Sequence, residues 1–515
     1  MIRDDHGGYR GNDRYGYFGH EPYSYFGYKP YNYEACDLQS DESLGSAPSA
    51  SWPRIPRVSV LVTARNYGSF LDACLHSILA QTIRPAEVLY ADDGSEDDSV
   101  RIARAFEPLG VRTLALPFQG VVASRNRAAR AATGELLLFV DGDNLLAPDF
   151  LERQLEALAD GAAFAYVAKQ YFGRSRASWE PPEWDRDRLW LENYVDTSAL
   201  IRREWFEAAG GWRETPAQTM WDWDLWLRVS RYGPGRRAAT RLYYRHHGAN
   251  WSTAREASYR GRRGAIRGMI RRAAARVAVV TVFSGRLPQL LPRWLEALAA
   301  ATASPPGERP ELLILDDSPQ GFWTLAGSLI PRFESSFSAL KVVRIHAGRT
   351  WQERRPDQAA TARFLAGACH RAGLESPAEV LWFLEDDILV PPHAYDRLLR
   401  LLLDGEQPRA AVAGLYRSRH EPRYVLSRVE GSAVRHAEHP PAEAGPWDLT
   451  GTGCLMIFRP LAKAVFRPAW PVPGTRRIVP AHDWSFAWQL REAGHPVWVD
   501  PAVQCRHYVN ETEWV

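Results

Sequence analysis

The sequence predicts an α/β fold with two tandem, mostly parallel sheets, and three observations lead to this prediction. From Arg57 onward, β-branched apolar segments alternate with segments of helical spacing, which is the order of a parallel sheet wound with helices. That order occurs twice. Several of the strands end in acids, where such sheets bind their ligands. We expect an N-terminal extension over 1–56, a first domain over 57–255, an Arg-rich linker over 256–276 and a second domain over 277–515.

Length and composition limit the class of protein. A chain of 515 residues is too long for one ordinary core, and its 45% apolar and 24% charged residues are typical of globular proteins. The formal charge of +2 gives no indication of a nucleic-acid partner, so we expect none. The five cysteines lack the spacing of a disulfide framework or a zinc site. Since we find no signal-like or membrane-spanning run, we expect a cytoplasmic protein, at most peripheral at the inner face of the membrane.

The first 56 residues are rich in Tyr, Gly, Pro and Ser and repeat Tyr-Phe-Gly at Tyr17 and Tyr25. They show neither a helical nor a strand period. Two interpretations stay open, namely a disordered or loosely docked tail and an aromatic segment that docks a partner or glycan.

The first domain delivers acids to the ends of its strands. "VSVLVTARN" reads as a strand and "FLDACLHSILAQ" as a helix, while "EVLYADDGS" is a strand that ends at Asp92 and Asp93. "GELLLFVDGDN" is a further apolar strand that runs into Asp141 and Asp143. Because the carboxyl ends of parallel strands meet at one edge, we expect the four carboxylates to face one crevice. An Asp-x-Asp pair suits Mg²⁺ or Mn²⁺ carrying a diphosphate, although this pair alone is weak evidence.

The second domain repeats the first segment by segment. "VAVVTVFSG" matches the first strand, "ELLILDDSP" matches "EVLYADDGS", and "EVLWFLEDDILVPP" matches "ELLLFVDGDNLLAP". The spacing from Asp222 to His246 is the same as that from Asp483 to His507. Two copies of one domain follow from this repetition.

The linker carries eight arginines from Arg255 to Arg276. One interpretation is a solvated connecting helix, because long arginines cover helix surfaces. The other is peripheral contact with an anionic membrane surface or a phosphorylated lipid acceptor. The glycines Gly261, Gly264 and Gly268 weaken any strong amphipathic-helix prediction.

The segments "VSVLVTARNYGSFLDACLHSILAQTIRPAEVLYADDGSEDDS", "ASRNRAARAATGELLLFVDGDNLLAPDFLE" and "WDWDLWLRV" together resemble the family 2 inverting glycosyltransferases of GT-A fold, including spore-coat polysaccharide enzymes. The resemblance is dense over about residues 57–250 and looser over 277–515. It implies two GT-A domains with Rossmann-like sheets. It also implies transfer of a sugar from a nucleoside diphosphate, expected to be UDP, to a saccharide, lipid-linked or protein acceptor.

The resemblance also implies roles for particular residues. General bases are Asp222 and, in the second copy, Asp483. The nucleotide-binding residues are Thr63, Asp92, Asp93, Arg125, Asn126 and Asp141, with Asp316, Asp317 and Glu385 in the second copy. Residues that contact Mn²⁺ or Mg²⁺ are Asp143 and His246, with Asp387 and His507 in the second copy. Two positions depart from the family pattern: Thr63 replaces a common proline, and Trp221 replaces the acid that usually precedes the base, which puts the acceptor in doubt.

Those residue types suit inversion at an anomeric carbon. One acid takes the proton of the acceptor hydroxyl, and a metal balances the charge on the departing diphosphate. Trp221, Trp223 and Trp226 could line an acceptor subsite, but Trp226 and Leu227 at helical spacing are more typical of a core.

Three interpretations of function stay open. Both copies are catalytic, since an acid stands at each aligned position, or the second is a degenerate carbohydrate-binding or scaffold domain. A sugar-phosphate nucleotidyltransferase is a weaker alternative, because "SGRLPQLLP" lacks the glycines that cradle a triphosphate. The sequence does not indicate an oligomeric state.

Overall fold

The computed structural model describes residues 55–515 except 160, 217, 248–260, 319–320, 346–375, 419–422, 431–432, 463–469, 472–477, 480–481, 511–512 and 515. The predicted N-terminal extension therefore lies almost wholly outside the described residues. Ser49–Val515 form one compact unit. Within the described residues, we find no helix that is both long enough and apolar enough to cross a membrane.

The first part of the chain folds into a mixed sheet covered by helices. Its strands are β1 Val58–Ala64, β2 Glu87–Asp93, β3 Val111–Leu116, β4 Leu136–Asp141, β5 Leu145–Leu146, β6 Phe164–Gly173, β7 Ser178–Trp179, β8 Leu200–Arg202 and β9 Gly235–His246. Its helices are α1 Gly68–Leu79, α2 Ser99–Ala105, α3 Val121–Ala131, α4 Phe150–Leu158, α5 Arg186–Leu191, α6 Arg203–Ala208 and α7 Trp221–Val229, with a 3₁₀ turn at Glu107–Leu109.

The second part follows a connecting helix, α8 Arg263–Ala274. Its strands are β10 Val277–Phe283, β11 Glu311–Asp316, β12 Ala339–Arg344, β13 Val380–Leu384, β14 Ile388–Leu389, β15 Ala411–Leu415, β16 Leu426–Glu430, β17 Ala433–His436, β18 Gly445–Trp447, β19 Leu449–Thr450, β20 Cys454–Phe458, β21 Trp470–Pro471, β22 Ile478–Val479, β23 Val497–Gln504 and β24 Arg506–His507. Its helices are α9 Leu291–Ala301, α10 Phe322–Ala326, α11 Ala394–Leu403 and α12 His482–Glu492, with 3₁₀ turns at Pro288–Leu290, Ile330–Arg332 and Glu334–Ser336.

The two large sheets share one strand order. The first runs β3-β2-β1-β4-β8-β6-β9-β5 and the second β12-β11-β10-β13-β20-β15-β23-β18. In both sheets the first four strands pair in parallel, the next two contacts are antiparallel, and the following contact is parallel. The prediction of an α/β fold with parallel-rich sheets is therefore confirmed, while the division into separate domains stays a prediction.

The register of the central strands agrees with the repeat found in the sequence. Val58 pairs with Leu136 and Val277 pairs with Val380, so that Asp141 and Glu385 follow the same number of residues later. These strands are buried along almost their whole length, which explains their continuous apolar runs. The register places the aligned acids at equivalent sheet edges.

Helix α8 buries some arginines of the linker and exposes others. Arg271 is fully buried and Arg272 is 5% exposed, whereas Arg263 is exposed. Membrane contact through the linker stays a prediction. The helix packs between α7 and α11. A Cβ atom added at Gly264 would lie 2.9 Å from the backbone nitrogen of Glu406, and one added at Gly268 would lie 2.1 Å from Asp404 Oδ1. These glycines, four residues apart, therefore let the helix approach the turn after α11.

Gly268→Ala should destabilise the chain by about 1–3 kcal/mol, because the added methyl group overpacks the contact with Asp404. Chemical denaturation followed by tryptophan fluorescence measures the effect. Gly445→Ala is the matched control, since an added Cβ there meets nothing within 4 Å. Equal stability of the two variants would contradict the close helix contact.

Candidate functional site

Neighbouring parallel strands bring the predicted nucleotide residues to one edge of the first sheet. Thr63 on β1 pairs with Ala91 on β2 and with Asp141 on β4. Thr63 is 5% exposed, and its Oγ1 has no hydrogen-bond partner within the described residues. A buried hydroxyl without a partner costs free energy, so a polar ligand group at this edge would stabilise it.

Asp93 joins the end of β2 to the start of α3. Its Oδ1 accepts hydrogen bonds from the backbone nitrogens of Gln119 at 3.0 Å and Gly120 at 3.2 Å, and from the Ser124 hydroxyl at 2.7 Å. Among the described residues these bonds all end on Oδ1 and leave Oδ2 for a ligand. The anchored loop thus presents a rigid carboxylate at the sheet edge.

Two predicted nucleotide residues have protein partners. Asp92 accepts hydrogen bonds from the Tyr90 hydroxyl and the Ser95 backbone nitrogen, both at 2.8 Å. The Asn126 amide donates to the Trp212 carbonyl at 2.7 Å and accepts from the Trp212 backbone nitrogen at 3.0 Å. Both side chains therefore shape the loops around the site, and their contact with a nucleotide stays a prediction.

In the Asp-x-Asp pair, Asp143 is buried, while Asp141 is half-buried and partly neutralised. Arg125 Nη2 lies 2.6 Å from Asp141 Oδ1, and the Arg125 guanidinium stacks over Trp212 at 4.6 Å. Asp143 is 4% exposed. Burial, followed by the charge of Asp141, raises the pKa of Asp143 to about 7. A bound cation would relieve both effects.

The imidazole beside Asp143 belongs to His247. Its Nε2 lies 3.1 Å from Asp143 Oδ2, whereas the predicted metal residue His246 ends β9 opposite Gly173. Arg245 Nε donates to the Asp143 carbonyl at 2.9 Å. Contact of His246 with a metal stays a prediction. Burial and Arg245 lower the pKa of His247, which favours the neutral, metal-binding imidazole.

The predicted base Asp222 is the second residue of α7 and is half-buried. Its Oδ2 accepts a hydrogen bond from Asn193 Nδ2 at 3.1 Å, and its Oδ1 accepts one from the Trp223 backbone nitrogen at 2.9 Å. Burial, followed by the charge of Asp196, raises the pKa of Asp222. A raised pKa brings a carboxylate closer to the range in which it accepts protons efficiently.

The sequence gives no local signal for Asp196 and Lys169, which the structure adds to the site. Lys169 Nζ lies 2.7 Å from Asp196 Oδ2 and faces the rings of Trp179 and Tyr244 at 5.0 and 5.6 Å. The charge of Asp196 raises the pKa values of both Asp143 and Asp222. Asp196 therefore lies within electrostatic range of both carboxylates, and a shared crevice stays a prediction. Asp196 also supplies a carboxylate near the base, where Trp221 replaces the expected acid.

Two of the three tryptophans are core residues. Trp223 and Trp226 are fully buried, and Trp226 stacks on Phe164 at 4.9 Å. Leu227 is fully buried as well, so the core interpretation of the helical pattern is confirmed. Trp221 is half-buried and is the member of the three that can contact an acceptor.

The second sheet carries a cluster with metal-ligand chemistry. Ligand atoms of Glu385, Asp387 and His507 all lie within 4.8 Å of one another. His507 Nδ1 lies 2.8 Å from the Arg417 carbonyl, which can only accept, so Nδ1 carries the proton and Nε2 faces Asp387 Oδ1 at 3.6 Å. Metal-binding imidazoles commonly donate their other ring N–H to a carbonyl, which fixes the orientation of the ring. Glu385, predicted on the nucleotide side, thus lies with the predicted metal residues.

The surroundings of this cluster differ from those in the first sheet. Arg286 Nη2 forms an ion pair with Asp387 Oδ2. Asp386 accepts hydrogen bonds from the Ser284 backbone nitrogen and hydroxyl at 2.8 and 2.9 Å, and burial followed by Asp387 raises its pKa to about 6. Asp386 occupies the position of Gly142 in the first sheet, so the match between the two copies does not identify it as a site residue.

Other predicted residues of the second copy are only partly comparable. Asp316 accepts from the Ser318 backbone nitrogen at 3.0 Å, the Phe322 backbone nitrogen at 2.9 Å and Arg344 Nη1 at 2.6 Å, so it shapes its loop as Asp92 does. Asp317 is 4% exposed beyond the end of β11. Asp483 is the second residue of α12, as Asp222 is of α7, but its side chain lies outside the described residues.

Strand pairing corrects one sequence equivalence. Leu145 pairs with Tyr243, while the aligned Leu389 pairs with Arg506, so the register places His507 level with Tyr244. The equal spacing that matched His507 with His246 is therefore offset by two residues in the structure. Spacing along the chain does not fix register, because the intervening loops differ between the copies.

An α/β sheet whose strand ends gather buried carboxylates, an imidazole and a buried hydroxyl without a partner is organised as an enzyme that binds its ligand at the sheet edge. Residues 59–210 match the family model described as glycosyl transferase family 2. A PGL/p-HBAD biosynthesis glycosyltransferase from Mycobacterium bovis (strain BCG / Pasteur 1173P2) is 30% identical over 177 residues, which cover 34% of this chain and 69% of that protein. The chain therefore belongs to glycosyl transferase family 2.

Other similarities cover smaller parts of their proteins. Chondroitin synthase from Escherichia coli is 30% identical over 222 residues, and putative glycosyltransferase EpsH from Bacillus subtilis (strain 168) is 35% identical over 107 residues. The matches cover 40% and 20% of this chain and 31% of each relative, so the chain spans about a third of their length. The crystal structure of S. aureus TarS 1-349 in complex with UDP-GlcNAc is 17% identical with a TM-score of 0.32 and covers 37% of this chain and 59% of that chain.

Asp222→Asn should gain stability relative to the unchanged chain as the pH rises. Because the folded-state pKa of Asp222 is raised, the unchanged chain loses folding stability between the unfolded and the folded pKa, and an amide does not. The difference in melting temperature should therefore favour the variant more at about pH 8 than at about pH 4. Glu334→Gln, at an exposed position, is the control. A difference that shrinks with pH would show that the folded chain does not raise this pKa.

Proposed function

We propose that the first half of the chain transfers a glycosyl group, with inversion, from a nucleoside-diphosphate sugar to an acceptor hydroxyl. The observation that carries this proposal is that Asp196 lies within electrostatic range of both Asp143 and Asp222, while Thr63 and Asp93 lie at the sheet edge that leads to Asp143. Thr63 and Asp93 offer groups for a nucleotide, and Asp222 offers a proton acceptor. In a donor complex the sugar lies between the diphosphate and the acceptor hydroxyl.

The nucleotide end consists of Thr63 and Asp93. The buried Thr63 hydroxyl and the Oδ2 atom of Asp93 are polar groups without protein partners in the described part of the chain. A pyrimidine base has both donors and acceptors on one edge, so these groups suit it, and uracil is the base that we propose. Arg125 holds Asp141 on the ribose side through its 2.6 Å ion pair.

The residues around Asp143 fit a divalent cation. Buried carboxylate oxygens suit Mg²⁺ and Mn²⁺, and the neutral His247 imidazole favours Mn²⁺. A cation bound there would balance the charge of the departing diphosphate. Asp143 and His247 would hold it, while Arg245 fixes the backbone of Asp143 through its 2.9 Å hydrogen bond.

Asp222 accepts the proton of the attacking acceptor hydroxyl. Asn193 and the Trp223 backbone nitrogen fix its two oxygens, so the carboxylate has one orientation. Burial and the charge of Asp196 raise its pKa, which strengthens it as a base. The positive charge of Lys169 limits this increase in pKa. Transfer should therefore fall as the pH drops through the raised pKa of Asp222.

The acceptor is a hydroxyl of a saccharide or glycoconjugate in polysaccharide synthesis. A relative named chondroitin synthase and one named for PGL/p-HBAD biosynthesis favour such acceptors. The half-buried Trp221 beside the base offers an aromatic face for a sugar ring.

For the second half we propose a tandem GT-A domain with its own transfer site, so that the chain is bifunctional. The matching strand order and the Glu385, Asp387 and His507 cluster support this proposal. The alternative is a carbohydrate-binding domain without transfer. The ion pair between Arg286 and Asp387 favours this alternative, because a guanidinium on that carboxylate competes with a cation.

Asp222→Asn should lower transfer at the first site by about 10²–10⁴-fold, because general-base catalysis contributes that much. Nucleoside diphosphate release from a panel of nucleotide sugars, with simple saccharide acceptors, measures transfer. If both halves are active, Asp483→Asn alone removes a second activity and the double variant removes both. Full transfer by the double variant would overturn both base assignments.

Mn²⁺ together with UDP should raise the melting temperature of the unchanged chain, since a ligand bound only by the folded state stabilises it. Asp143→Ala should remove most of the shift if the first site dominates, and Asp387→Ala should remove it if the second does. The exposed Asp98→Asn is the control. Transfer at an unchanged rate after chelation with EDTA would contradict the assignment of a cation to this site.

A further inference from the structure

The Arg271 guanidinium in α8 donates all of its N–H groups to backbone carbonyls of both halves. Its N–H groups donate to Trp190 and Leu191 of the first half at 2.9 and 3.1 Å, and to the second-half carbonyls of Leu403, Gly405 and Glu406 at 3.2, 3.0 and 3.1 Å. A guanidinium has five N–H donors, so the five carbonyls match its full capacity. Such a match holds two backbone segments at a fixed separation.

The first-half segment that Arg271 holds leads directly to the base. Trp190 and Leu191 end α5, and Asn193 follows them to donate its 3.1 Å hydrogen bond to Asp222. The Arg271 guanidinium also lies over the ring of Trp223 at 5.5 Å. Trp223 is the residue whose backbone nitrogen binds Asp222. Both groups that orient the Asp222 carboxylate therefore lie next to residues that Arg271 contacts.

A second contact joins α8 to α7, the helix that carries Asp222. Arg213 forms a bidentate ion pair with the buried Asp224, with distances of 2.6–3.0 Å, and donates to the Ala273 carbonyl at 2.6 Å. Asp224 stands two residues after Asp222 in α7. The start of α7 is thus fixed to α8 through both Trp223 and Asp224.

The other face of α8 is fixed to the second half. Gly264 and Gly268 allow the helix to contact the 404–406 turn, and the Gly405 backbone nitrogen donates to the Gly264 carbonyl at 3.3 Å. Arg272 adds an ion pair with Asp404. Displacement of the turn after α11 therefore displaces Arg271, and through it the residues around Asp222.

We propose that Arg271 is a positioning residue for Asp222, so that the second half of the chain sets the geometry of the base in the first transfer site. This inference rests on the proposed function of Asp222. It gives the second half a role in the first reaction even where its own cluster transfers no sugar. It also requires no contact between Arg271 and substrate.

The test uses the full chain with Asp483→Asn, so that transfer reports the first site. Arg271→Lys keeps a charge but loses the fork, and should lower kcat by about 10–100-fold, the effect expected when a reacting group is misplaced by about 1 Å. Donor KM and nucleoside-diphosphate affinity should change less than about 2-fold, because Thr63 and Asp93 lie on other elements. Arg202→Lys is the control, since Arg202 also donates to backbone carbonyls, those of Ala162 and Leu158, but pairs with Leu136 at the end of β4 opposite Asp141, and should change kcat less than about 2-fold.

Melting temperatures of all variants separate positioning from stability. Equal loss of kcat in Arg271→Lys and Arg202→Lys at equal loss of melting temperature would overturn the inference, as would a normal kcat in Arg271→Lys. If Arg271→Lys does not fold, Gly264→Ala tests the link from its second-half side, and it should lower kcat without changing donor KM. An unaltered kcat in that variant would also overturn the inference.

The failure of the proposed function gives a different result. If the unchanged chain transfers no sugar, or Asp222→Asn transfers at the full rate, the base assignment fails. If Asp222→Asn is inactive and Arg271→Lys retains its full kcat, only the positioning inference fails.

Discussion

The first site depends on the confinement of like charges. Burial, followed by the charge of Asp141 and with a smaller contribution from Asp196, raises the pKa of Asp143 to about 7, and burial followed by the charge of Asp196 raises the pKa of Asp222. Fixed cations offset only part of this cost, because Arg125 pairs with Asp141 and Lys169 pairs with Asp196. The remaining unfavourable free energy is released by a ligand that brings positive charge. Such a site is built for binding rather than for stability.

Much of this arrangement is predictable because it depends on local pattern and sheet topology. The buried strand from Leu136 has a continuous apolar run, and its acids follow at the point where parallel strands end. Topology then brings Thr63, Asp93 and Asp141 to one edge without further information. The helix that carries Asp222 is equally local, since its apolar residues follow a helical period and are buried.

The remaining features depend on contacts between residues far apart in the chain. His247 lies beside Asp143, and the pairing of β5 with β9 fixes the register that brings the end of β9 there. Lys169 on β6 meets Asp196, which lies in a loop without a motif. The arginines of α8 read as a solvated face in the sequence, yet Arg271 is buried because five carbonyls from two halves surround it.

The same sheet edge has acquired different electrostatics in the two halves. In the first, Tyr67 follows β1, and burial, followed by the charge of Asp143, raises the pKa of its phenol. In the second, Arg286 follows β10 and pairs with Asp387. A cation at Asp387 must therefore share its carboxylate with a permanent positive charge, which weakens cation binding and favours an anionic ligand group nearby. The presence of the acids in both halves therefore does not make the two sites equivalent. The residue that follows the first strand of each sheet, Tyr67 or Arg286, also determines the net charge beside the acid.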